Sequence, residues 1–154
     1  MSAQPRPQQP GEDQQEALIL QSVDRFLQRE VRPVIRELDA SDTYPAAMVE
    51  KLQTLGLFGA TISPEYGGLG LSAVTYARIV ERLAAAWITV PGFFNSHLIM
   101  AAAVERYGSA QQKAAWLPRF ASGELRGGIG LTEPDCGTDL QAIRTTRLWG
   151  LRRS

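Results

Sequence analysis

The sequence predicts a mainly α-helical bundle that runs, toward its carboxy end, into a glycine-rich strand and loop. Three observations carry that prediction. Apolar residues recur at spacings of three, four and seven through most of the chain, which lines one face of a helix. Hydroxyl residues and prolines fall where helices start. From Gly127 the composition turns to glycine and the helical spacing disappears. At 154 residues, with 44% hydrophobic and 21% charged residues, the chain is long enough for one domain with a core.

Residues 1–14 read as a disordered tail, because Pro5, Pro7 and Pro10 sit among polar neighbours with nothing to bury. Residues 15–126 read as a helical domain. Its first helix begins near Glu16 and carries Ile19, Val23, Phe26, Leu27, Val34, Ile35 and Leu38 on one face, with Pro33 breaking or bending it. A second helix follows Tyr44-Pro45, shows Met48, Leu52 and Leu55 to the core, and stops at Gly56. A loop occupies residues 63–70, and Ser72 caps a third helix whose inner face holds Tyr76, Val80, Leu83 and Trp87. Pro91-Gly92 breaks the chain before an apolar segment that stops at Gly108 and has the composition of a helix buried among others. Ser109 and Gln112 match a capping box, and the short helix they open ends before Pro118. Ser72, Ser109 and Thr43 are read as caps, since no base stands near to make them nucleophiles.

Sixteen basic residues balance sixteen acidic ones, and the arginines are spread along the chain, so no charged patch points to nucleic acid or a membrane surface. One cysteine, Cys136, excludes an internal disulfide framework. The opening residues have neither the apolar run of a secretory signal nor the acid-poor pattern of a transit peptide, which leaves the cytoplasm as the expected location. His97, the sole histidine, lies in an apolar segment with no ligand cluster around it, so it reads as a core or pocket-lining residue and no metal site is expected.

Residues 127–146 read as a strand and loop that start a β-domain. The segment Leu131-Thr132-Glu133-Pro134-Asp135-Cys136-Gly137-Thr138-Asp139-Leu140 offers a strand end, a proline turn and two hydroxyls. Residues alone leave two readings: a strand and turn with hydroxyl caps, or amides near Gly137 and Thr138 aimed at an anion or a polar ring edge. Gly128-Ile129-Gly130-Leu131-Thr132-Glu133 fails as a dinucleotide fingerprint, with Glu133 where the third glycine belongs.

That ten-residue segment resembles the flavin-loop signature of the acyl-CoA dehydrogenases: a hydrophobic residue and Thr-Glu-Pro, leading into Gly, then Ser or Thr, then Asp. Two further stretches are similar to the same family in the same order. One is Pro64-Glu65-Tyr66-Gly67-Gly68-Leu69-Gly70-Leu71; the other runs from Arg106-Tyr107-Gly108-Ser109 through Leu117-Pro118 to Ser122-Gly123-Glu124. The resemblance covers residues 16–146. It implies the amino-terminal helical domain of that fold and the first strand and loop of its β-domain. It implies FAD as cofactor, an acyl-CoA thioester as substrate, and an electron acceptor such as an electron-transfer flavoprotein; homo-oligomers are expected of full-length members.

By the same resemblance, Leu131 and Thr132 meet the isoalloxazine ring. Gly137 and Thr138 lie along the flavin's ring and phosphate side, Thr138 is also associated with the acyl-CoA, and Asp139 has a structural role. Cys136 stands where a small residue is common and reads as a loop filler. Tyr66, Phe93 and Phe94 belong to a region that packs near substrate in relatives, although core packing is the plainer reading of each. The family's catalytic glutamate comes from a later helical domain, so no catalytic residue is expected here, and Glu133 belongs to the loop. Residues 147–154 match nothing in the family. The expectation is a frameshift or premature stop after Thr146, and a chain that by itself retains little or no flavin and is inactive. A non-catalytic helical module and an acyl-CoA oxidase or related flavoprotein on the same fold are the alternatives.

Overall fold

A computed structural model describes the backbone of residues 10–146 and the side chains of residues 14–146. Six α-helices lie among the described residues: α1 (Pro10–Phe26), α2 (Ile35–Ser41), α3 (Ala46–Thr54), α4 (Ala73–Ala86), α5 (Thr89–Tyr107) and α6 (Ala110–Ala121). Helix α1 packs on α4, α4 on α5, and α5 on α6. A 3-10 turn, Leu57–Gly59, is wedged against both α5 and α6.

The first helix starts at Pro10, earlier than Glu16. Proline costs little in a first turn, where the amides have no partner. Residues 1–9 of the expected tail, and the divergent residues 147–154, lie outside the described residues. Beyond Phe26 the helix widens into a π-turn, Leu27–Val31, closed by the Arg32 N–H donating to Leu27 O at 2.9 Å. Pro33 then separates it from α2, giving the two segments its ring demands. The core face holds Val23, Phe26 and Leu27 as expected, and also Val31, one turn beyond Leu27.

Helix α3 begins after Pro45 and buries Met48, Val49 and Leu52. It stops at Gly56, whose φ of 74° is a left-handed conformation that favours glycine. Thr43 does not cap α3: its hydroxyl donates to Ser41 O at 3.3 Å, and Pro45 occupies the cap position without a side-chain bond. Ser72 does cap α4, accepting from the Thr75 N–H at 3.1 Å. The buried row of α4 is Thr75, Ile79 and Leu83, while Tyr76, Val80 and Trp87 are half-buried at its margin. Leu83 is buried as expected, while Thr75 and Ile79 take the inner places expected of Tyr76 and Val80. Glu16 of α1 fixes that packing at the surface, accepting from the Thr75 hydroxyl at 2.9 Å and pairing with Arg78. Such exposed pairs contribute at most about 1 kcal/mol, so the apolar row carries the stability.

Two prolines expected to break helices do not. Pro91 sits in the first turn of α5, where its missing donor has no helical acceptor to lose. Pro118 lies inside α6 and forfeits one backbone bond, but buried Leu117, Phe120 and Ala121 hold the helix on both sides of it. The capping box at its start is complete, with Ser109 Oγ accepting from the Gln112 N–H at 3.2 Å and Gln112 Oε1 from the Ser109 N–H at 2.8 Å. Helix α5 is less enclosed than its composition implies. It buries Val90, Phe94, His97, Leu98 and Ala101, yet Ile99 stays 53% exposed and Ala102 and Ala103 are exposed beside it. Among the described residues, no helix is long and apolar enough to cross a membrane.

Residues 127–132 have no regular secondary structure and form no strand ladder among the described residues; the only bridge there is the isolated pair Glu133 and Cys136. A strand exists only through a partner, and no described segment lies alongside to pair with it.

Candidate functional site

The glycine-rich segment leaves the helical domain through a buried hinge. His97 on α5 is 1% exposed. Its Nε2 lies 3.1 Å from both Phe58 O and Phe120 O, so that nitrogen carries the proton and donates to both carbonyls. Its Nδ1 is then the acceptor, and the Gly127 N–H donates to it at 3.4 Å. The rings of Phe58 and Phe120 meet the imidazole edge-on, with centroids at 5.4 and 5.6 Å. Burial, with the Arg126 charge beside it, holds the imidazole below its ordinary value of 6.5. His97 is thus a satisfied core histidine, as its apolar surroundings imply.

Gly127 lies close against α5 at this crossing. A Cβ there would fall 2.4 Å from Met100 Sδ of α5, and one on Gly128 would stand 3.3 Å from Ser96 Oγ. The glycines therefore mark a close approach to α5, and the chain passes over that helix before it reaches the loop. Arg126 secures the approach: its guanidinium stacks 4.9 Å over Phe58 and donates to Gln53 Oε1 at 3.1 Å and Gly123 O at 3.2 Å.

Beyond the crossing, the loop is held by its own polar groups. Glu133 and Cys136 exchange backbone bonds of 2.8 and 3.2 Å. The Glu133 carboxylate accepts from the Arg144 N–H at 2.9 Å, the Thr145 N–H at 2.8 Å and the Thr145 hydroxyl. Those donors, led by the Arg144 amide, hold the carboxyl below the ordinary value of 4.5. Cys136 is buried and its thiol donates to Asp139 O at 2.8 Å, which is the behaviour of a loop filler. Asp139 accepts from the Gln141 N–H at 3.1 Å and caps the 3-10 turn Leu140–Ala142, the structural role expected of it.

The staple at Glu133 has a testable consequence. Because its folded value is lowered, the contribution is present above pH about 4.5 and is lost as pH falls through the folded value. In Glu133→Gln, the Arg144 and Thr145 amide NMR shifts move toward open-chain values and lose their acid titration, while the helices melt as before. Unchanged amide shifts would show that the clamp does not hold the loop.

Against this frame of inward-turned groups, Leu131, Thr132, Gly137 and Thr138 are all exposed, Leu131 at 49%. A Cβ on Gly130 or Gly137 would meet nothing within 4 Å, so the loop has open space at its glycines. The concavities beside α3 are elsewhere. One of about 270 Å³ is lined by Arg25, Arg29 and Lys51, and one of about 400 Å³ by Val34, Leu38, Tyr44 and Met48; neither includes a residue of 131–140. Of the aromatics expected near an acyl pocket, Phe94 is fully buried against Phe58 and Tyr76. Phe93 is half-buried, edge-on to Tyr44 at 5.8 Å, and Tyr66 packs at the margin of the core. The roles of Gly127, Arg126 and Gln53 are invisible in spacing; only the doubled glycine signals them.

The family model described as "Acyl-CoA dehydrogenase, N-terminal domain" matches residues 12–124. The chain belongs to the acyl-CoA dehydrogenase family. It is 34% identical over 132 residues to the short-chain specific acyl-CoA dehydrogenase of Clostridium acetobutylicum, an alignment covering 85% of this chain and 35% of that protein. Glutaryl-CoA dehydrogenase from Mycobacterium smegmatis, solved in complex with FADH2, superposes with a TM-score of 0.77 at 33% identity, over 86% of this chain and 34% of that one. A chain in the structure of the electron transferring flavoprotein of Acidaminococcus fermentans gives a TM-score of 0.79 at 26% identity, over 93% of this chain and 37% of its own length. The chain therefore spans about a third of the length of these relatives. The family match ends at Glu124, before the glycine-rich segment.

Proposed function

We propose that this chain provides the helical wall and the first flavin-contacting loop of an FAD-dependent acyl-CoA dehydrogenase, acting on the carbons α and β to a thioester carbonyl. One observation carries the reading. The four residues that match the family's cofactor contacts, Leu131, Thr132, Gly137 and Thr138, are exposed, whereas the intervening Glu133 and Cys136 are committed to bonds within the loop. The residues present fit a flat ring system with a phosphate tail. Leu131 supplies an apolar contact, Thr132 a hydroxyl and backbone for the polar ring edge, Gly137 room for close approach, and Thr138 a hydroxyl for the phosphate side and the acyl-CoA. When bound, the flavin supplies the acceptor for hydride. Glu133 is not proposed as a base, because both its carboxylate oxygens are already occupied within the loop. Electrons would pass on to a partner such as an electron-transfer flavoprotein.

A chimera tests this. The stretch of the Clostridium acetobutylicum relative that matches this chain is replaced by the corresponding residues of this chain. The expected product is yellow and is bleached by a short-chain acyl-CoA, and Gly137→Val in it lowers flavin affinity by about tenfold or more through lost approach. A folded chimera that holds no flavin would overturn the reading.

A further inference from the structure

We propose that His97 is the positioning residue for the flavin-contacting segment. As the Nε2–H tautomer it holds the Gly127 amide and sets how residues 128–132 cross α5, and protonation at Nδ1 releases that segment. The proposal rests on reading residues 131–138 as the flavin-contacting stretch and goes beyond it by naming what aligns the stretch with the helical domain.

The geometry leaves the imidazole one role on each side. Two carbonyls, from Phe58 in the 3-10 turn and Phe120 in α6, claim the Nε2 proton at 3.1 Å each. A neutral ring with its proton there has a lone pair at Nδ1, and the Gly127 N–H is aimed at it. This is the crossing where the chain runs against the end of the Met100 side chain of α5. One ring therefore joins α5, α6, the 3-10 turn and the first residue of the glycine segment. None of the described backbone amides of residues 128–132 donates to another backbone group, so the bond at Gly127 is the last polar anchor of the segment before Glu133.

Protonation replaces the Nδ1 lone pair with a second N–H, which then faces the N–H of Gly127. Two donors confront each other, and the tether is lost. The groups around the ring are the Phe58 and Phe120 rings and carbonyls, the Gly127 amide, and Arg126 at the hinge. Arg126 is the charged one, and it opposes a second positive charge. Because the folded imidazole is lowered, the tethered form is full above pH about 6.5 and is lost as pH falls through the folded value.

The chain has one histidine, so selective ¹⁵N-imidazole labelling gives a single spin system to follow. The test contains no flavin, so its failure is separate from failure of the chimera above. At neutral pH the expected pattern is Nε2-protonated. On acidification the Gly127 amide loses protection with the same midpoint as the imidazole, ahead of the core amides. In His97→Gln, an N–H donor remains for the two carbonyls, and the acceptor left in place of Nδ1 is an amide oxygen that does not titrate. Gly127 protection then no longer falls on acidification, while the helices keep theirs. A purely structural histidine would instead move the Gly127 amide and the core amides together. An Nδ1-protonated ring at neutral pH, or a Gly127 amide that loses protection on acidification just as much in His97→Gln, would overturn the proposal. Should that variant fail to fold, the tautomer and titration of the parent chain decide the matter alone.

Discussion

Alanine at Gly68 is expected to destabilise the protein by about 3 kcal/mol, the upper end of what an overpacked site costs. The reason is steric and lies in the backbone. A Cβ at residue 68 would stand 2.1 Å from Ile62 O, 2.6 Å from Ile62 C and 2.7 Å from Ile62 Cβ. No rotamer change relieves a clash with a carbonyl, so one of the two chain segments must move. Both are pinned. The Leu69 N–H donates to Gly59 O, the Gly70 N–H to Ile62 O and the Leu71 N–H to Ala60 O, each at 2.9 Å. The Ser63 N–H is held by Glu105 of α5 at 3.2 Å, and Ile62 itself is buried. Chemical denaturation of Gly68→Ala beside Gly92→Ala separates this cause from glycine entropy. Gly92 has nothing within 4 Å of its would-be Cβ and lies in a helix, so alanine there is expected to be neutral or stabilising by about 0.5 kcal/mol. Equal effects at the two positions would refute the steric account.

Phe58→Ala is expected to cost about 4 kcal/mol, within the usual range for a fully buried aromatic. Phe58 is 0% exposed and stands edge-on to Phe94 at 6.5 Å and to His97 at 5.4 Å, with Arg126 stacked over its face. Truncation opens a cavity where α5, α6 and the chain leaving α6 converge, and none of the three can close it without leaving its own packing. Loss of the ring also strips Arg126 of its platform. The loop beyond Gly127 should therefore loosen along with the fall in unfolding free energy, seen as faster exchange at residues 126–128. A loss below about 1 kcal/mol would mean that the site collapses freely.

These two residues show which parts of the molecule sequence patterns reveal. Helix starts were legible because Ser72 and Ser109 announce them by local chemistry, and the capping box formed as its spacing requires. Helix ends were not, where proline was read as a stop. Pro91 fell in a tolerant first turn, and Pro118 was carried by the burial of Leu117 and Phe120, a tertiary effect that overrides local preference. On α4, Thr75 was missed from the inner face because it is polar. Its hydroxyl is satisfied by Ser72 and Glu16, which allows burial that composition does not suggest. In the candidate site, the doubled glycine at 127–128 marks where the chain runs close to α5. That the approach is to Met100 and Ser96, and that His97 waits there with a free acceptor, depends on contacts between residues thirty positions apart, and no local pattern encodes them.

The widened turn at Leu27–Val31 has a consequence for how the amino-terminal arm tolerates change. Each residue in an ordinary helix advances the side-chain direction by about 100°, so one extra residue within a turn re-phases everything after it relative to everything before. Val23, Leu27 and Val31, four residues apart, all stay on the buried face up to that turn. Removing a single residue there would restore regular winding and swing α2 away from its seat, whereas a substitution of similar size at the same positions would leave the phase intact. For this arm, length is a stricter specification than residue identity.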